Sequence, residues 1–223
     1  MYELDRKMGY WSVLALAIIG YLYALSYVAV VVLFPMKPWI NIQTHIVEFT
    51  GAYKAFFTAT QILAWLLSLA FLFVSVVIYR ITTEHKKILS TIGLMFALVF
   101  LTLSSMHYYI QWAAVNRGIA TGNLEGLSMF VQSNFDSPIS ALNVIGWTLF
   151  FGMADIFFAF CFDASRKGKN IKFGLLLNGI VSVLTALLFV INFKIIMLFW
   201  TMVMVATWYV YPVMLSYFKN EKE

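Results

Sequence analysis

The chain has 223 residues, of which 62% are apolar and 11% are charged, and its formal net charge at pH 7 is +5. Soluble domains have roughly 45–50% apolar and about 25% charged residues, so this composition excludes a soluble globular domain and indicates a protein dissolved in lipid. The basic residues form short clusters rather than a continuous stripe, so we expect no nucleic-acid partner. One cysteine, Cys161, and three histidines exclude an intramolecular disulfide and a two-haem site, and we expect no cofactor.

Six apolar stretches are long enough to span a bilayer, which takes about 20 residues per helix. We therefore expect an all-α integral membrane protein, a single six-transmembrane-helix bundle over residues 1–223. The first stretch follows Arg6 and Lys7 as a signal peptide would, but it exceeds the apolar core of about 7–15 residues typical of such peptides, so we expect it to be retained. The predicted spans are Tyr10–Phe34, Phe57–Tyr79, Ile88–Trp112, Pro138–Phe162, Phe173–Ile191 and Ile195–Phe218.

Two boundaries between spans carry clear local signals. Residues 192–194 are the break between the fifth and sixth spans, which predicts a tight helical hairpin. The fourth span begins at Pro138, whose missing N–H costs nothing in the first turn of a helix, and either Asp136 or Ser137 can cap the free amides before it.

The basic residues predict the orientation of the chain in the membrane. Eleven of them lie at the two termini and between spans at 80–87 and 163–172, whereas four lie in the remaining connections. Basic residues concentrate on the cytoplasmic side of membrane proteins. We therefore expect both the N and C termini to be cytoplasmic, in the cell membrane of a prokaryote.

Two connections on the predicted outer side are longer than a turn and have an amphipathic pattern. Residues 35–56 place Ile42, Ile46 and Phe49 at helical spacing. Residues 121–135 contain a similar series, Leu124, Leu127 and Val131. Such segments lie as helices in the membrane interface, or they fold over the bundle as a lid above an outward pocket.

Asp155 is a carboxylate within the fourth span, in the apolar run FFGMADIFFAFCF. A charged group at the centre of a membrane helix costs at least about 2.5–3.5 kcal/mol, so Asp155 should face the bundle interior. At about 100° per residue it shares a face with small side chains. These are Ala141, Thr148, Gly152 and Ala159, a small-residue stripe that lets a second helix approach closely. Asn143 points in a different direction.

Counting residues from the ends of the spans gives the depth of Asp155, roughly 10 Å from the cytoplasmic end at about 1.5 Å per residue. Asn178 in the fifth span reaches a similar depth, as do Trp208 and Tyr211 in the sixth. The count therefore predicts that Asn178 or Tyr211 is the hydrogen-bond partner of Asp155.

A second group of polar residues lies near the outer ends of the spans. His107 and Gln111 share one face of the third span with Ser104, and Gln61 and Asn143 lie at similar depth. His45 and Glu48 on the first outer connection could join them, and together these side chains would line an outward-facing vestibule. Each also has a structural interpretation, as an interfacial side chain or as a hydrogen bond between helices.

The sequence lacks the residue patterns that most classes of membrane enzyme require. No zinc-protease, hydrolase-elbow or phosphate-loop motif is present, and no span contains two acids. A metal site could be assembled only from His45, Glu48 and His107, without a spacing typical of metal ligands, and we expect none. We assign no catalytic residue.

Three functions are compatible with these features. The first is binding or transport of a small or amphipathic molecule, with Asp155, Asn178, Tyr211, His107, Gln111, Asn143 and Glu48 as candidate ligand-binding residues. The second is a partner, assembly or regulatory subunit whose small-residue stripe docks a span of another membrane protein or of a second copy. The third is a membrane-embedded enzyme that modifies a lipid or isoprenoid with Asp155 or His107. Besides the lipid bilayer, the expected partners are thus a small-molecule or lipid ligand and a membrane protein.

Overall fold

A computed structural model describes residues 2–34, 39–191 and 207–219, and within these ranges the chain is helical and contains no strand. All-α architecture is therefore confirmed for the described chain. The helices are α1 (Glu3–Leu33), α2 (Ile42–Glu48), α3 (Gly51–Ile81), α4 (Lys87–Tyr109), α5 (Asn116–Thr121), α6 (Pro138–Ile145), α7 (Phe151–Ala159), α8 (Arg166–Ile191) and α9 (207–218).

Two long helical stretches each contain a short π-helical segment. Ile110–Val115 joins α4 to α5, and Gly146–Phe150 joins α6 to α7. By length and apolar composition, five stretches of the described chain can cross a membrane, and they overlap the first five predicted spans. They are Glu3–Leu33, Gly51–Ile81, Glu84–Thr121, Pro138–Ala159 and Arg166–Ile191. Of the predicted sixth span only 207–218 is described, and the predicted hairpin at 192–194 lies outside the described residues.

The long helices form a closed ring. Each packs against the next one along the chain, in the order α1, α3, α4, α6–α7, α8. The last helix closes the ring, because Tyr211 lies against Gly20 of α1 and Phe218 against Gly9. Rising numbers on α9 thus meet falling numbers on α1, so these two helices are antiparallel. On its other side α9 contacts α8, where Val210 lies against Gly174.

Basic side chains join the helices at one end of the ring. The Arg80 guanidinium Nε lies 2.6 Å from Oδ1 of Asp5, an acid that is buried between α1 and α3. Lys86 Nζ donates to the carbonyl of Phe162 at 2.9 Å. Lysines satisfy carbonyl groups that have no partner where a helix ends, so these contacts hold neighbouring helix ends together.

The first connection, described from residue 39, lies at the opposite end and contains α2. Asn41 caps this helix by accepting from the Thr44 backbone N–H at 2.8 Å, and Ile42 is buried. The next span begins at Gly51, earlier than the predicted Phe57, and Gly51 has a φ of +53°. This conformation favours glycine, and it redirects the chain from α2 into α3.

The second connection, residues 122–137, is not the amphipathic helix that its apolar spacing predicts. It forms one 3₁₀ turn, Leu127–Phe130. Gly122 and Gly126 have φ values of +71° and +67°, and these left-handed conformations interrupt the helix. Leu127 is nevertheless buried. It belongs to a small second core made by the two connections and the end of the third span, whose buried members are Ile42, Val115, Leu127 and Val131.

The fourth span begins as predicted. Ser137 caps it by accepting from the Ser140 backbone N–H at 3.2 Å, and Pro138 occupies the first turn. The cap is therefore Ser137 rather than Asp136. Because the span starts at Pro138, Asp155 lies in its last third.

Candidate functional site

Close packing of two helices positions the candidate site. A Cβ atom on Gly152 of α7 would lie 2.8 Å from both the carbonyl oxygen of Gly179 and the Cβ of Ser182 on α8. Because only glycine leaves room for this approach, α7 and α8 come together near the depth of Asp155. Asn178 precedes Gly179 directly, so the same contact brings its amide to the carboxylate.

Asp155, Asn178 and Thr207 form a chain of hydrogen bonds across α7, α8 and α9. Asn178 Nδ2 donates to Asp155 Oδ2 at 2.6 Å, and Thr207 Oγ1 donates to Asn178 Oδ1 at 3.2 Å. Asp155 and Asn178 are each 1% exposed. The predicted pairing of Asp155 with Asn178 is confirmed. The second carboxylate oxygen, Oδ1, is buried and has no hydrogen-bond partner among the described residues.

A cavity of about 70 Å³ lies inside the ring, and Asp155 and Asn178 are in its wall. Thr207, Trp208 and Tyr211 of α9 line it as well, and the depth count from sequence had placed Trp208 and Tyr211 at the level of Asp155. The phenol ring of Tyr211 packs against α1, and the carboxylate hydrogen bond goes to Asn178. Most of the remaining wall is apolar, so the cavity is an apolar space with one polar corner.

The predicted small-residue stripe is internal to the chain. Thr148 and Ala159 are almost completely buried, and Gly152 is covered by α8. The Thr148 hydroxyl donates to the Val144 carbonyl in its own helix at 2.6 Å. The prediction that this stripe docks a span of another chain is therefore wrong, since α8 of the same chain already occupies it.

His107 and Gln111 lie at the opposite end of the bundle from Asp155. Both are buried, and His107 Nδ1 is 3.2 Å from the carbonyl oxygen of Ile139. Ile139 precedes Asp155 by sixteen residues, which is roughly 20–25 Å along the helix axis. His107 and Asp155 therefore cannot act on the same reacting atom.

Gln132 of the second connection fills the space that the sequence assigned to an outward vestibule. Its side-chain oxygen accepts from Gln61 Nε2 at 2.7 Å. Its backbone N–H donates to Gln111 Oε1 at 3.0 Å, and its carbonyl accepts from the Ser140 hydroxyl at 2.9 Å. Gln111 Nε2 also donates to the Phe130 carbonyl at 2.6 Å. The polar residues at this end thus bind the second connection instead of lining an open vestibule.

The remaining candidate residues lie at the same end of the bundle and do not form a ligand cluster. His45 Nδ1 is 3.2 Å from the hydroxyl of Ser133, and its ring stacks on Phe49 at 4.9 Å. Burial lowers the pKa of His45, while the charge of half-buried Glu48 acts in the opposite direction. Asn143 lies beside Tyr108. Within the described ranges, no three side chains of histidine, cysteine, aspartate or glutamate are grouped to hold a metal ion.

Sequence analysis did not identify two residues that make key contacts in the structure. Thr207 lies one helical turn before Tyr211 and so shares its face, a spacing that could have identified it. Gln132 had no comparable signal, because its role depends on contacts with residues 61, 111 and 140.

The arrangement around Asp155 offers a ligand apolar contact and one hydrogen-bonding or charged anchor. Among the described residues that line the cavity, Asp155 is the only acid, and none is histidine, lysine or arginine. A general acid and a general base therefore do not meet in this cavity, whereas a binding site needs only the anchor and the apolar wall. Comparisons of the chain with protein-family models, with curated proteins and with solved structures find no match.

Proposed function

We propose that the protein binds a small molecule in the cavity at the centre of its helix ring, with Asp155 as the anchor, and that it carries this molecule into or across the membrane. The observation that carries the proposal is that Oδ1 of Asp155, buried in the wall of the cavity, has no hydrogen-bond partner in the described part of the chain. A buried polar atom without a partner is costly. A bound molecule that supplies a hydrogen-bond donor or a positive charge removes this cost.

Asn178 and Thr207 support the same function. Their hydrogen bonds orient Asp155 by occupying one carboxylate oxygen and leaving the other available. A side chain held in this way loses little freedom when it binds a ligand, which favours affinity. Since the three residues come from α7, α8 and α9, a movement between these helices would alter the site, as transport requires.

The protein of this proposal crosses the cell membrane of a prokaryote six times and has both termini in the cytoplasm. The packing of α9 antiparallel to α1 supports a sixth crossing. The collection of Arg80, Lys86 and Lys167 at one end of the ring supports placing that end in the cytoplasm.

Roles as a partner subunit and as a lipid-modifying enzyme have less support. The stripe that suggested a partner is covered by α8. The two intramembrane groups that suggested an enzyme, His107 and Asp155, lie at opposite ends of the bundle. Binding in the central cavity uses a buried carboxylate oxygen that has no hydrogen-bond partner among the described residues.

Native mass spectrometry of the protein purified from its membrane tests the proposal. Two variants alter the cavity: Asp155→Asn removes the charge, and Ala24→Leu fills the space beside it, because Ala24 lines the cavity. Asp163→Asn is the matched control, since Asp163 lies in the loop after α7 and accepts from the Ser165 backbone N–H. We expect a non-covalent adduct on the wild type and on the control that both cavity variants lose. Identical adducts on all four proteins would contradict the proposal.

A further inference from the structure

The wall of the central cavity is unusually rich in aromatic rings. Seven of its twenty described lining residues are phenylalanine, tyrosine or tryptophan. They come from the first four long helical segments of the ring and from α9, so rings surround the space rather than covering one side of it. An aromatic wall of this kind recognises ligands through the faces and edges of its rings as well as by apolar contact.

Contacts between these rings hold them in place before any ligand binds. Tyr23 and Trp147 are stacked, with ring centroids 5.8 Å apart and planes inclined by 15°. Phe100 meets Trp147 edge to face at 4.8 Å, and Phe71 lies 4.8 Å from Phe151. Because the rings support one another, they hold their positions around the cavity without a ligand.

The charge in the described wall has one sign. Asp155 can be negative, and no described lining residue is lysine, arginine or histidine that could balance it. An anionic ligand would therefore meet repulsion from the carboxylate and from the ring faces. A neutral apolar ligand would leave Asp155 Oδ1 without a partner. A cation suits both the carboxylate and the aromatic wall, since it pairs with a carboxylate and is attracted to aromatic faces within about 6 Å.

The size of the cavity limits the ligand further. Its volume is about 70 Å³, whereas an apolar protein cavity of about 150 Å³ binds benzene. A molecule of about three or four non-hydrogen atoms fits this comparison. Short-chain alkylamines have this size and are protonated at neutral pH.

We propose that the cavity binds a small organic cation of the alkylammonium class, with its N–H groups on Asp155 Oδ1 and its alkyl groups against the rings around Trp147. This inference rests on the proposed function, because it names the ligand class of the same cavity. The contrast with a neutral molecule of the same shape isolates the charge, so it is the critical comparison.

Propylammonium and 1-propanol are suitable probes, since they have the same number of non-hydrogen atoms and differ in charge. Ligand-observed NMR titrations of the detergent-solubilised protein measure both, and four non-hydrogen atoms limit the affinity to about 10–100 µM at best. The Ala24→Leu variant gives the background from detergent and surface binding, which is subtracted. We expect propylammonium to bind about tenfold more tightly than 1-propanol, because a charge-assisted hydrogen bond is about twice as strong as a neutral one.

The Asp155→Asn variant should bind the two probes with similar affinity, and its retained binding of 1-propanol would show that the cavity is still formed. Equal binding of both probes by the wild type, removed by Ala24→Leu, would overturn the alkylammonium assignment and leave the proposed cavity function standing. Binding of neither probe above the Ala24→Leu background would overturn the assignment, and together with identical native-mass adducts it would overturn the cavity function as well. The comparison in the wild type requires no change at Asp155, so it decides the ligand class even if Asp155→Asn does not fold.

Discussion

Replacement of Gly152 by alanine tests the helix contact that positions Asp155. The added methyl group would lie 2.8 Å from the Gly179 carbonyl oxygen and 2.8 Å from Ser182 Cβ. A backbone oxygen cannot rotate away as a side chain can, so α7 and α8 must separate. Gly146→Ala is the matched control in the same span, because its methyl group would lie 3.4 Å from Leu103 Cβ, close to ordinary contact.

The expected magnitude follows from two opposing contributions. Alanine stabilises a helix relative to glycine by about 0.5–1 kcal/mol, whereas inserting a methyl group into packed space costs about 1–3 kcal/mol. We expect Gly152→Ala to lower the free energy of unfolding by about 1–2 kcal/mol, which corresponds to a Tm lower by about 2–8 °C. Gly146→Ala should leave the Tm unchanged or raise it slightly.

Thermal unfolding in detergent, followed by tryptophan fluorescence and circular dichroism, measures both variants against the wild type. A Tm of Gly152→Ala equal to or above that of Gly146→Ala would refute the close approach of α7 and α8. Retention of the propylammonium preference in a destabilised Gly152→Ala protein would also show that this approach is unnecessary for placing Asn178 beside Asp155.

Three further predictions concern the carboxylate network and the two outer connections. Asn178→Ala leaves Asp155 without the donor to Oδ2, so the free energy of unfolding should fall by about 1–3 kcal/mol. In denaturation experiments, the double variant Asp155→Asn/Asn178→Ala should lose less stability than the sum of the losses of the two single variants. Strict additivity of the losses would argue against the contact. Gln132→Ala removes the hydrogen bond from Gln61, so amide hydrogen exchange should accelerate in residues 127–137 and stay unchanged in α7. An equal acceleration in both segments would contradict this role of Gln132. Burial lowers the pKa of His45 below the ordinary 6.5, so the folded protein binds fewer protons there than the unfolded chain, and stability at this residue is lost as pH falls below about 6.5. The difference in Tm between pH 7.5 and 5.5 should therefore be smaller in His45→Gln, and an equal difference would contradict this origin.

The contact of Asp155 with Asn178 could be predicted from sequence because a membrane helix has a regular rise and the ends of apolar spans mark its depth. Counting from those ends places the two residues at one level. The same count cannot say which helices are neighbours, so it named Asn178 and Tyr211 equally. Ring order decided between them, since α8 lies directly against α7.

Two of the failed predictions have different causes, since one depended on contacts distant in sequence and the other on local backbone conformation. The stripe around Gly152 indicated that some helix approaches closely, but small side chains accept a helix of the same chain and a foreign helix alike. The second connection has an apolar spacing typical of a helix, yet the left-handed conformations of Gly122 and Gly126 interrupt it. Leu127 and Val131 are buried all the same, because apolar side chains leave water in either conformation.

Composition and apolar length by themselves indicated a helical membrane protein, because a bilayer offers no partners for exposed backbone groups. They also determined where five of the long helices lie, and that an acid within one of them must face inward. Only the tertiary structure decided that the helices close into a ring around a cavity, with one oxygen of Asp155 in its wall left unpaired by the residues that the structure describes. The physical reason is that packing between helices in lipid depends on the mutual fit of their surfaces, and no single helix contains that information.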